Sequence, residues 1–221
     1  MKKTLLTLIA TAGIISTVHA QDIDSIKLTQ ETQQLRQDKN QMDLVWWIPN
    51  EFWEASFKAN PVITPEQEKE FIKVVDQYTI FCILEGTIGA FGGITGTPKD
   101  ELQSKASLVV SETKLSPLDD SELSPDAQNF LQMMKPMFAG MLGQMGQSME
   151  FIVFKGENED GAKHLNPKSE GSFTLNLGEK EFKWRLPLAS LLPPKFDPDT
   201  NDEFPGNYIY NPYTGKKLIT K

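Results

Sequence analysis

The chain has 221 residues, of which 30 are acidic and 22 are basic, so its formal net charge at pH 7 is −8. This acidic balance argues against nucleic acid and anionic lipid as partners, because both require clustered Lys and Arg, and it is compatible with cations or basic partners. The single cysteine, Cys82, excludes an intrachain disulfide. Its apolar neighbours Phe81 and Ile83 predict a buried thiol.

The N-terminus has the features of a bacterial signal peptide. Lys2 and Lys3 provide a positive start, residues 5–18 are apolar, and small residues occupy the −3 and −1 positions of a cleavage site after Ala20. Cleavage there would make Gln21 the first mature residue. No cysteine follows the site, so the mature chain is predicted not to be lipid-anchored.

Export places the mature protein in the periplasm or outside the cell. Loss of Lys2 and Lys3 with the leader takes the net charge from −8 to −10. No later segment reaches the roughly 18 continuous apolar residues that a membrane-spanning helix needs, so no membrane span is predicted.

Changes in composition divide the chain into four segments. Residues 21–43 are rich in Gln, Asp and Lys, which predicts a flexible or weakly helical lead-in. The predicted fold is a single α+β domain, with antiparallel strands packed on two longer helices and a short turn-rich C-terminal appendage. The predicted segments are a signal peptide (1–20), the polar lead-in (21–43), the globular domain (44–192) and the tail (193–221).

Two helices are predicted at the start of the globular domain. The aromatic segment Leu44–Trp53 is assigned to a helix that is interrupted at Pro49. A second helix is predicted from Thr64 as its N-cap, because a proline follows at once and a glutamine stands three residues after the cap. Apolar residues at helical spacing extend this prediction through Cys82, and Gly86 marks the expected end.

Alternating and capped segments predict the remaining elements. Two pairs of an N-cap residue and a proline, Thr97-Pro98 and Ser124-Pro125, each predict the start of a helix. The predictions are a glycine-rich segment (Thr87–Gly96) that is a bent strand or a close backbone approach, a short helix from Thr97, a strand (Ser107–Glu112), the longest helix (Asp126–Met149), a strand (Glu150–Phe154) and a hairpin (Phe173–Leu186).

The residue inventory argues against most catalytic chemistry. His164 is the only histidine left after leader removal, it lies in a polar loop, and no nucleophile–base pair has a local signature. A catalytic zinc site would need further imidazole or thiolate ligands. Paired carboxylates remain open, with candidates among Glu51, Glu54, Asp119 and Asp120. A non-catalytic function is favoured, and no cofactor is predicted.

The aromatic segment has two interpretations. Trp46, Trp47 and Trp53, with Phe52 beside them, could form a flat platform for a sugar, a peptide or a partner protein. Alternatively, the same rings pack in the core of the domain. Sequence spacing leaves both open.

A row of methionines on the longest predicted helix also has two interpretations. Thioethers are soft ligands that select Cu(I), which is one hypothesis. The other is that flexible methionines fill an irregular core or an adaptable binding groove. A step of four residues turns about 400° around a helix, so the row sweeps about 160° and only two or three sulfurs could reach one ion. The row comprises Met133, Met137, Met141, Met145 and Met149.

The tail contains a segment with calcium-type oxygen spacing. Asp197, Asp199 and Asn201 are the candidate ligands, and envelope proteins meet abundant Ca²⁺. The loop has Asp202 where a glycine normally makes the sharp turn, and Tyr208 where a bidentate Glu normally closes the cage. Plain Asx and proline turns without a metal are the alternative.

The tail also resembles a zinc ribbon that has lost its cysteines. Asp197-Pro198-Asp199-Thr200 and Asn211-Pro212-Tyr213-Thr214-Gly215 look like two copies of one turn. The positions that match the four ligands are Asp197, Thr200, Asn211 and Thr214. A tetrahedral thiolate site cannot be made from these side chains, so the resemblance implies a double turn held by hydrogen bonds.

The tryptophan-rich segment and the methionine-glycine helix together resemble exported bacterial proteins of unknown function. The resemblance implies export and no activity. We therefore expect a binding or assembly module of the cell envelope, with Trp46, Trp47, Trp53, Met137, Met141 and Met145 as contact residues. The alternative is a metal-binding envelope protein, with Ca²⁺ in the 197–203 loop or Cu(I) on the methionine row.

Overall fold

The structure is a computed structural model that describes residues 23–58 and 62–221. The predicted signal peptide lies outside these residues. The helices are α1 (Ser25–Thr32), α2 (Asn50–Lys58), α3 (Pro65–Val75), α4 (Lys99–Lys105), α5 (Pro125–Leu142) and α6 (Gln144–Gln147). The strands are β1 (Gln33–Asp38), β2 (Gln41–Ile48), β3 (Tyr78–Ile88), β4 (Ile94–Gly96), β5 (Ala106–Val110), β6 (Thr113–Leu115), β7 (Glu150–Lys155), β8 (Gly171–Leu177), β9 (Lys180–Leu186), β10 (Lys195–Phe196) and β11 (Glu203–Phe204).

The strands form two larger antiparallel sheets. In the central sheet, β2 lies between β1 and β3, and the second edge of β3 pairs with β7 along its first half and with β4 at its end. The second sheet has the order β6-β5-β8-β9. Helices and antiparallel sheets therefore make one α+β domain, as the sequence predicts.

Three layers follow from the two faces of the central sheet. On β2, Leu44, Trp46 and Ile48 pack on one face in the same apolar cluster as α2, α3 and α5. Val45 and Trp47 pack on the opposite face against the second sheet. The outer side of the second sheet carries exposed charged residues on β9. The order of layers is helices, central sheet and second sheet, with the central sheet buried on both faces.

The tryptophan segment is a strand followed by a helix, which corrects the helical prediction for Leu44–Trp53. β2 ends at Ile48 and α2 begins at Asn50, after Pro49. The second predicted helix begins as expected, with Thr64 in a capping box, but it ends at Val75 and not near Gly86. Tyr78–Ile88 is instead the central strand β3. A strand buried on both faces has a continuous apolar run, which also satisfies helical spacing.

The polar lead-in is also part of the fold. Within residues 21–43, α1 buries Leu28 completely and β1 pairs with β2 along six residues. The prediction of a flexible or weakly helical segment is therefore wrong for residues 33–38, which form a paired strand, whereas residues 25–32 are a helix. Its polar composition fits an edge strand, whose side chains are largely exposed.

The remaining local predictions agree closely with the structure. α4, β5, β7 and the β8–β9 hairpin occur where expected, within a few residues at their ends, whereas the predicted helix Asp126–Met149 is divided into α5, which ends at Leu142, and α6 (Gln144–Gln147). In the glycine-rich segment, Gly96 lies against the neighbouring backbone: a Cβ at this position would stand 2.8 Å from the carbonyl oxygen of Ser148. This is the predicted close backbone approach.

Candidate functional site

The three candidate tryptophans are core residues. Trp46, Trp47 and Trp53 are each no more than 5% exposed. The indole Nε1 of Trp46 donates to Thr32 Oγ1 at 3.1 Å, and the Trp46 ring meets Phe52 edge-on with 4.8 Å between centroids. The structure thus supports core packing and corrects the hypothesis of an exposed aromatic platform. Trp46 and Trp47 are covered because β2 is buried on both faces, and Trp53, on α2, packs against the rings of Phe71 and Phe130.

The methionine row is divided between the core and the surface. Met134, beside the row, and Met149 are buried, whereas Met133 is 69% exposed and Met137 46% exposed. Met145 is half-buried against the helix-side core. The backbone of Met141 belongs to α5, and its side chain lies outside the described part of the structure.

The helix that carries the row breaks at Gly143, whose φ of 59° is left-handed, so α5 and α6 are separate helices. The drift of a four-residue step and this break prevent the row from sharing one face.

Beyond Asp126 in its first turn, the exposed side of α5 is almost free of charge. Residues 127–149 contain a single charged side chain, Lys135, which pairs with Glu150 at 2.7 Å. Charged residues make up 24% of the whole chain, so this segment stands apart. Met133 and Met137 lie one turn apart on this side, and Leu142 is also exposed. An exposed surface of this composition is typical of a protein interaction site.

Two of the candidate carboxylates, Glu51 and Glu54, line a cleft. It has a volume of about 470 Å³ and lies between α2, the end of α3 and the loop 163–168. Glu51 pairs with Lys168 at 3.4 Å. Lys163 lies between Asp76, at 2.7 Å, and Glu157. Burial, and then the neighbouring carboxylate of Glu51, raises the pKa of Glu54.

The cleft fulfils one requirement of an enzyme, which is a concave space with several carboxylates. Its lining contains no His, Cys or Ser side chain among the described residues. His164 lies outside this lining. Asp119 and Asp120 are also elsewhere: Asp119 caps a short 3₁₀ helix, and Asp120 pairs with Lys99. The cleft therefore offers charged anchors for a polar ligand, and its described lining contains no Ser-His or Cys-His pair.

The predicted calcium ligands are used for other contacts. Asp197 is buried, and its Oδ1 accepts from the amides of Asp199, at 2.9 Å, and Thr200. Its Oδ2 accepts from Asn211 Nδ2 at 2.6 Å, and this hydrogen bond is the main reason that the pKa of Asp197 is lowered. The Asp199 carboxylate pairs with Lys216.

Asn201 has a left-handed φ of 64° and an exposed side chain. Within residues 23–58 and 62–221, no three His, Cys, Asp or Glu side chains are placed to hold one metal ion. In this structure the only buried carboxylate of the trio already has its hydrogen-bond partners. Calcium binding in this loop stays a prediction.

The tail contains the two predicted Asx turns. Asn211 repeats the pattern of Asp197: its Oδ1 accepts from the amides of Tyr213, at 2.9 Å, and Thr214. The Asp197–Asn211 hydrogen bond joins the first residues of the two turns. The two short strands β10 and β11 pair beside them.

Comparison of the chain with protein-family models, with curated proteins and with solved structures gives no match. The candidate sites are therefore assessed on their geometry and chemistry. In the described part of the chain, no helix has both the length and the apolar character needed to cross a bilayer.

The sequence interpretation missed the aromatic surface of the tail. Tyr208, Tyr210 and Tyr213 are exposed, Tyr213 to 88%, as are Ile209 and Ile219. The signal was available: three of the four tyrosines of the chain fall within residues 208–213. Tyrosine is enriched in binding surfaces because its ring gives a large contact area with few rotatable bonds.

Proposed function

We propose that the protein is an exported, non-catalytic binding or assembly module of the cell envelope, and that the outer side of α5 is its contact surface. The observation that carries this proposal is the exposure of Met133 and Met137 on a helix segment with one charged residue. Covering such a surface removes apolar area from water without desolvating unpaired charges.

Methionine suits this role because its unbranched side chain adapts to irregular partners. Met141 falls one turn beyond Met137 on the same helix, and Met145 connects this surface to the helix-side core. The partner is expected to present an apolar segment. Buried Trp46 and Trp53 support the surface indirectly, because they lie in the apolar cluster on which α5 packs.

The alternative is Cu(I) binding by the same methionines. Met133 and Met137 are both exposed and one helical turn apart, so their thioethers could bind one soft ion together. This alternative requires only two or three sulfurs and no carboxylate.

A photo-crosslinking residue placed at Met137 tests the binding proposal. In cells, we expect this position to give a discrete crosslinked product, and a matched residue at Lys183, exposed on the far side of the second sheet, to give none. A product of twice the mass would indicate self-assembly. Equal crosslinking at both positions, or none at either, would contradict a contact surface on α5.

Cu(I) binding can be distinguished from protein binding by an anaerobic titration in which the protein competes with a chromogenic chelator for Cu(I). Competition that disappears in Met133→Gln/Met137→Gln, with crosslinking from position 137 absent, would favour copper over a protein partner.

Intact mass of the protein from the envelope fraction tests export. We expect a mature chain that begins at Gln21.

A further inference from the structure

The tail contains a groove that lies away from α5. It has a volume of about 500 Å³, within the range of small-ligand sites. Aromatic rings, hydroxyl groups and carboxylates line it together. Among these lining side chains are Thr200, Asp202, Glu203, Phe204, Tyr208 and Tyr213.

Tyr213 is held outward by a rigid turn. Asn211 Oδ1 accepts from the Tyr213 amide, Asn211 is itself anchored to buried Asp197, and Gly215 closes the turn with a left-handed φ of 73°. The Tyr213 ring stands 6.5 Å from the ring of Phe204. A turn that is ordered before binding loses little backbone conformational entropy when a ligand arrives. Because the Tyr213 side chain is 88% exposed, it contributes little to the stability of the fold.

The charge of the groove has one sign. The charged side chains that line it are Asp202 and Glu203, and at its edge Lys195 Nζ donates to the carbonyl oxygen of Tyr208 at 2.7 Å. Asp202 Oδ2 accepts from Thr200 Oγ1 at 2.6 Å. The exposed carboxylate of Glu203 has neither a hydrogen bond nor an ion pair among the described residues. An unpaired carboxylate beside aromatic faces complements a cation that has apolar or planar groups around its charge.

We propose that this groove binds an arginine or lysine side chain in an extended basic segment of a partner protein. The cation would lie against the Tyr213 and Phe204 rings, where cation–π attraction acts, and would pair with Glu203. The net charge of −8 favours the approach of such a segment. This inference is independent of the α5 surface, and either can fail without the other.

Fluorescence anisotropy with a labelled peptide of alternating arginine and glycine tests the proposal on the full mature chain. We expect saturable binding that is about threefold weaker in Tyr213→Ala and in Glu203→Gln, and close to wild type in Tyr213→Phe, which keeps the ring. The matched control is Glu112→Gln, which removes the same charge from the exposed β5–β6 turn. It should bind as wild type.

Three results would overturn the proposal. The first is equal weakening by Glu112→Gln and Glu203→Gln, which would indicate general attraction to an acidic protein. The second is equal binding of a peptide of alternating glutamate and glycine. The third is saturable binding of an uncharged cello-oligosaccharide that depends on Tyr213 while the arginine peptide does not bind, which would make the groove a sugar platform. Far-ultraviolet circular dichroism of each variant checks that it is folded.

Discussion

The layered core and the tail are stabilised by different means. In the core, the central sheet buries apolar side chains on both faces, among them Phe81, Phe154 and Trp46. In residues 193–221, Leu218 is the one buried hydrophobic residue, while Asp197 and Asn211 are buried polar residues bonded to each other. The comparison indicates that hydrogen-bonded turns can define a small segment where apolar burial is slight.

Truncating a core aromatic is expected to have the largest effect on stability. Phe154 is fully buried between the sheets, with its ring 5.8 Å from that of Phe81. Phe154→Ala should lower the free energy of unfolding by about 3–5 kcal/mol in urea titration. Phe91→Ala is the matched control, because Phe91 is fully exposed and its loss should leave stability unchanged. Equal effects of the two changes would mean that the sheets do not pack as described.

The core also contains a polar feature, at the rim where the sheets meet. Glu85 pairs with Lys105 and, at 2.9 Å, with Lys180, which also reaches Asp43 at 2.8 Å. Burial alone would raise the pKa of Glu85, but hydrogen bonds from Lys105 and Lys180 lower it from its ordinary value of 4.5. A carboxyl with a lowered pKa binds fewer protons in the folded chain than in the unfolded chain.

This pairing makes part of the stability depend on pH. The contribution of Glu85 is present above pH 4.5 and is lost as the pH falls through the lower, folded pKa. Glu85→Gln should cost about 1–2 kcal/mol at pH 7. The difference from wild type should shrink below pH 4.5, as measured by urea titration over pH. Glu101→Gln, which removes the exposed partner of Lys105, should have little effect. A difference that is constant with pH would contradict the ion-pair account.

A substitution in the tail is expected to act locally and to have the smallest effect on global stability. Asn211→Ala removes the hydrogen bond to Asp197 and the acceptor for the Tyr213 and Thr214 amides. We expect these amides to exchange with solvent at least about tenfold faster, while urea unfolding of the core is unchanged. Asn166→Ala breaks a similar but exposed turn and is the control. A global loss of stability would mean that tail and core unfold together.

Local chemistry explains which elements could be predicted. The capping box at Thr64 and the Ser124-Pro125 entry fix helix starts through bonds within a few residues. The alternation in β8 and β9 also gives a local signal, because one face of that hairpin meets solvent. β2 and β3 have no such alternation, since the layers on both sides are supplied by distant parts of the chain. Their assignment as helix was wrong for this reason.

The candidate sites follow the same division. Sequence alone determined the acidic balance, the lone Cys82 and the uncharged methionine helix, because these are properties of composition and spacing. Only the tertiary structure decided that Trp46, Trp47 and Trp53 are covered while Met133, Met137 and Tyr213 are exposed. Exposure depends on which surfaces the layers leave free, and that depends on contacts between residues far apart in the chain.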